Sequence, residues 1–107
     1  MSQFDDRERA EEAKYSLDQQ SLFKATARRD KLLGLWAADL LGYAGQEAED
    51  YAKTVVVADL EEPGDEDVIR KVLGDFEAKG VAKSREDVLA QLKELMLVAV
   101  EQIKAQG

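Results

Sequence analysis

Neither histidine nor cysteine occurs in these 107 residues, and proline occurs once. Without cysteine there are no disulfides, no thiolate nucleophile and no cysteine-ligated zinc. Without histidine, the commonest acid-base group and the commonest metal ligand are also missing. Aromatic residues make up only 7% of the chain, and no run approaches the ~18 apolar residues of a membrane span. The opening "MSQFDDRERAEEAK" carries charges where a signal peptide needs an apolar stretch, so the expected setting is cytoplasmic, without direct membrane insertion. Lys+Arg 15 against Asp+Glu 23 gives a net charge of -8 and leaves no basic stripe to neutralise the phosphates of a nucleic acid. These absences exclude most familiar active sites and leave a small, soluble, helix-rich acidic domain.

The helical pattern falls into two regions, an arm at residues 1–21 and a four-helix domain at 22–107. In the arm, Asp5, Asp6, Glu8, Glu11, Glu12 and Asp18 outnumber Arg7, Arg9 and Lys14, and Phe4, Tyr15 and Leu17 are the only large apolar side chains after Met1. Its composition favours helix while offering little to bury, which predicts a frayed or conditional helix that orders against a partner. From Leu22 to Leu41, leucines, alanines and Trp36 fall on one wide helical face, and Gly42 offers a stop. Gly34 inside this helix points to the close approach of another helix or of the Trp36 ring.

A second helix is expected over about 46–61, with Ala48, Tyr51, Ala52, Val55, Val56, Ala58 and Leu60 as its apolar face. The strand preference of "TVVV" there yields to helical flanks and the lack of a partner strand. Pro63 and Gly64 break the chain. A third helix starts near Asp65, carries Val68, Ile69, Val72, Leu73 and Phe76, and ends at Gly80. Ser84 with Asp87 reads as a capping box opening a fourth helix with a stripe from Val88 through Leu92 and Met96 to Ile103. The expected class is all-α, a four-helix bundle with a long first helix.

No nucleophile and base, metal set or phosphate loop emerges, so no catalytic residue and no required cofactor is assigned. The acids of "EEPGDED" lack the spacing of a calcium loop and read as helix ends. The one basic concentration is Lys24, Arg28, Arg29 and Lys31. Lys24, Arg28 and Lys31 follow i, i+4, i+7 spacing, so one edge could face a polyphosphate while Trp36 or Tyr51 offers a ring to a base. The simpler alternative is a solvated face paired to Asp30 and Asp39, with Trp36 in the core.

Three strings, "FDDRERA" (Phe4 to Ala10), "ARRDKLLGLWAA" (Ala27 to Ala38) and "YAKTVVVADLEEPGDEDVIRKV" (Tyr51 to Val72), resemble in order and spacing the alphaproteobacterial zeta subunit, the inhibitor of the F-type ATP synthase. The resemblance covers essentially the whole chain. It implies an inhibitory N-terminal segment that enters a catalytic interface among the alpha, beta and gamma subunits and blocks ATP hydrolysis. It also implies ADP or ATP as a regulatory ligand on the bundle, and a location peripheral to the inner membrane through the synthase. Carried onto matching positions, the inhibitory residues are Phe4, Asp5, Asp6, Arg7, Glu8, Arg9 and Ala10, followed by Lys14 and Tyr15. "AEEAKYSLD" departs from the family pattern of an aromatic near Glu11 and a histidine near Leu17. That departure puts a histidine-based pH switch in doubt and shifts the anchor toward Phe4 and Tyr15. The competing reading is a nucleotide-sensing or generic helical adaptor unrelated to ATP synthase.

Overall fold

The computed structural model describes residues 17–61 and 64–106. Four helices make up this part of the chain: α1 (Gln19–Leu41), α2 (Gln46–Glu61), α3 (Glu66–Lys79) and α4 (Arg85–Gln106). The expected inhibitory residues, Phe4 to Ala10 with Lys14 and Tyr15, lie outside the described residues. Helix α1 starts inside the segment expected as the arm: the Asp18 carboxylate accepts from the Ser21 amide at 2.7 Å and caps it. Leu17 already packs against Ala25, Met96, Ala99 and Val100.

The helix ends follow the residues anticipated for them. Gly42 and Gly80 adopt φ of 89° and 73°, a left-handed conformation that costs glycine nothing. The next amides then turn back, Tyr43 to the Ala38 carbonyl at 2.9 Å and Val81 to the Phe76 carbonyl at 2.8 Å. At the start of α4 the Ser84 amide donates to the Asp87 carboxylate at 2.9 Å, and the Asp87 amide donates to the Ser84 hydroxyl at 3.2 Å. This reciprocal pair is a capping box with aspartate in place of the usual glutamate.

Helix α1 contacts all three others, most extensively α2 and then α4. Its C-terminal half joins the main core with Leu33, Ala37 and Leu41 beside Val55, Val68, Ile69, Val72, Phe76, Val88 and Leu92. Its N-terminal half lies on the end of α4, where Ala25 meets Met96, Ala99 and Val100. The valines of "TVVV" are helical, with Val55 fully buried and Val57 exposed. Leu60, expected on the apolar face of α2, is 57% exposed, because the helix turns that position away from the α1 seam.

Gly34 sits where α1 crosses α2. A Cβ at that position would lie 2.6 Å from Ala52 Cα and 2.9 Å from Ala52 Cβ, so the neighbouring helix, not the Trp36 ring, explains the glycine. Gly34→Ala must push backbone apart and is expected to cost about 1–3 kcal/mol. Gly74→Ala, on an exposed helical position with nothing within 4 Å, should add about 0.5–1 kcal/mol. Urea unfolding of the two variants checks the pair, and equal shifts would contradict the close crossing.

Candidate functional site

The cations of α1 do not form one edge. Lys24 and Lys31 are exposed, but Lys31 lies 3.7 Å from Glu49 of α2, whereas Arg28 donates to Gln102 of α4 at 2.8 Å. Arg29, the fourth of the candidate cations, does not lie on this edge. It is 2% exposed and its guanidinium is enclosed by carboxylates, so an approaching phosphate would meet like charge first. The spacing of α1 held the clue, because Ala25, Leu33, Ala37 and Leu41 are buried at intervals of four or eight and Arg29 fills the gap in that register.

Around Arg29 the structure builds a charge cluster that joins three elements. Its Nη2 lies 2.9 Å from Asp30 Oδ1, 3.0 Å from Asp65 Oδ1 and 3.5 Å from Asp59 Oδ2, and its Nε donates to Asp30 at 3.1 Å. Asp30 is 1% exposed, and no buried side-chain polar atom among the described residues lacks a partner. Burial opposes ionisation of Asp30 and the facing Asp59 carboxyl adds to it, so the Asp30 acid is held well above the usual carboxylate range despite Arg29. Asp30 thus pairs with a cation, as the alternative reading of this face expected, but inside the bundle and not on its surface.

Three acids at the start of α3 also meet cations. Asp65 stands at the N-cap of α3 without a side-chain capping bond, its carboxylate taken by Arg29; Glu66 pairs with Arg85 and Asp67 with Arg70. Among the described residues, no group of three or more acidic side chains is placed to hold a metal ion.

Trp36 is half-buried and meets Phe76 edge-to-face, with ring centroids 5.7 Å apart at 80°. The Tyr51 hydroxyl donates to Asp75 at 2.7 Å, and the same carboxylate accepts from Lys71 at 2.8 Å. Burial first, then the Asp75 charge, push the Tyr51 phenol up, so it remains a donor. Beside this group a shallow open trough of about 400 Å³ is lined by Lys53, Thr54, Val57, Ala58 and Lys71. No residue of the trough stood among the sequence candidates, since Lys53 and Lys71 meet only when α2 and α3 pack.

A four-helix bundle whose buried arginine ties three elements together, with a shallow trough on its surface, belongs to the small helical proteins. Comparison supplies the particular kind. The family model described as ATPase inhibitor subunit zeta matches residues 1–102, and the chain belongs to that family. A solved structure, determined by solution NMR, is 50% identical, with 79% of this chain and 96% of that chain covered and a TM-score of 0.70. No curated protein matches. Membership places the chain among ATPase inhibitors, and no helix of the described residues is long and apolar enough to cross a membrane.

Removing the cation from the cluster leaves three carboxylates facing one another. Arg29→Met is expected to destabilise the bundle by about 3–5 kcal/mol, whereas Lys24→Ala on the exposed face should stay within about 0.5 kcal/mol. Chemical denaturation of the two variants distinguishes them, and equal small effects would mean that the cluster is dispensable.

Proposed function

We propose that this protein inhibits the F-type ATP synthase by inserting its N-terminal segment into the catalytic head, where it blocks ATP hydrolysis. The observation that carries this reading is the extent of the family match, which begins at residue 1 and so takes in the arm together with the bundle. Phe4 would anchor the segment and Tyr15 would reinforce it. Arg7, Arg9 and Lys14 would meet carboxylates or carbonyls, and Asp5, Asp6 and Glu8 would meet basic side chains. Ala10 would allow close approach. The alpha, beta and gamma subunits are the proposed partners, and the synthase would hold the protein beside the cytoplasmic face of the membrane.

An adenine nucleotide on the bundle is the second reading, favoured by the exposure of Lys24 and Lys31 on one helix. ADP or ATP would act there as a regulator, provided that it binds two states of the protein with different affinity. Deleting residues 1–15 should abolish inhibition of ATP hydrolysis and leave thermal unfolding of the bundle unchanged; persistent inhibition would refute the arm. Titration of ADP should shift amide signals around Lys24, Arg28 and Lys31. Shifts confined to the trough would move the site to Lys53 and Lys71, and no saturable shift would remove the nucleotide.

A further inference from the structure

Three carboxylates surround one guanidinium at the meeting point of α1, α2 and the turn into α3. If all three ionised, two uncompensated negative charges would sit in a site where the Asp30 and Asp59 side chains are 1% and 9% exposed. Burying that excess is costly, and a proton held between two facing carboxyls removes part of it. Asp30 and Asp59 both lie against the same Arg29 nitrogen, at 2.9 Å and 3.5 Å.

We propose that Asp30 keeps its proton inside the folded bundle, and that this proton is the catch that fastens the α2–α3 turn to α1. With the proton present, the Asp30 acid donates towards the Asp59 carboxyl of α2 while Arg29 reaches Asp65 across the turn. When the proton leaves, Asp30 and Asp59 repel each other, and α2's last turn is driven off α1. The strain reaches Asp65 through the shared guanidinium, and with it the first hydrogen bond of α3, from the Ile69 amide to the Asp65 carbonyl at 3.1 Å.

The charged groups that face Asp30 are Arg29 from its own helix and Asp59 from α2. Asp65 joins through Arg29, and α4 contributes no ion pair to the cluster among the described residues. Burial first, and then Asp59, push the Asp30 acid from the ordinary 3.8 up to about 8. In the unfolded chain the proton is lost near the ordinary value. The stabilisation is therefore complete below that value and disappears as pH rises through about 8. Asp18, Glu66 and Asp87 have the opposite sense: their carboxyls are held low by the Ser21 amide, Arg85 and the Ser84 amide, so their contribution is lost only in acid. With no histidine in the chain, no side chain of ordinary pKa titrates between about pH 5 and 8 to obscure the effect.

The test uses the full chain, labelled at the aspartate carboxyl carbons, with amide hydrogen exchange followed in parallel. Asp30 should keep its proton to about pH 8. Between about pH 6 and 8, protection of the Ile69 amide and its neighbours should fall about tenfold per pH unit, after correction for intrinsic exchange. Asp30→Asn places a neutral donor where the protonated acid stood, and Asp59→Asn does the same from α2; either should flatten the slope. Asp30 titrating below about pH 5 would overturn the proposal, as would an unchanged slope in both variants. Should neither variant fold, the carboxyl titration of the unaltered protein decides alone.

Discussion

The seam between α1 and α2 is the constraint on which the rest of the bundle depends. Large side chains are scarce in its middle, where Gly34 faces the Ala52 backbone, so the two helices approach more closely than a Cβ on α1 would allow. Dispersion forces need that proximity, because alanines and valines contribute many short contacts and few long ones. The crossing also sets the register of the pair. With Gly34 against Ala52, Arg29 comes level with Asp59 further along α2, and the turn after α2 returns Asp65 to the same guanidinium. Close packing and charge pairing are thus two consequences of one alignment.

Charge in this acidic chain is distributed unevenly between structure and surface. Arg29 joins α1 to α2 and to the start of α3, Arg85 pairs across to Glu66, and Lys71 serves Asp75 within α3. Exposed pairs such as Arg70 with Asp67 contribute little to stability. The buried cluster differs, because a charge deprived of its partner there has no water to replace it. Arg29 is already engaged by carboxylates, so no anion cradle forms around it in the middle of the bundle.

The helix boundaries could be read from residues because each has a local cause. Gly42 and Gly80 end helices through a backbone conformation that side-chain residues avoid, and the Ser84–Asp87 box needs only three intervening bonds of chain to form. The buried face of α3 emerged almost unchanged, with Val68, Ile69, Val72 and Phe76 all buried. Leu60 was misplaced because a run of apolar residues does not fix which side of the helix meets its neighbour, and the next residue back, Asp59, takes the place facing α1. Arg28 and Arg29 show the same limit more sharply. They are adjacent and chemically identical, and about 100° of helical rotation sends one across to Gln102 and the other into the core.

The sequence by itself determined that the chain is helical, where its helices stop, that one glycine marks a close crossing, and that its kinship is with the zeta inhibitors. These follow from interactions between residues a few positions apart, or from strings that are preserved as strings. Tertiary structure alone decided that Arg29 is a buried strut, that Asp30 and Asp59 confront each other, and that Lys53 and Lys71 border one trough. Those relations join residues some 20 to 30 positions apart in the chain, and such pairs acquire a distance, a dielectric surrounding and a protonation state only when the helices pack.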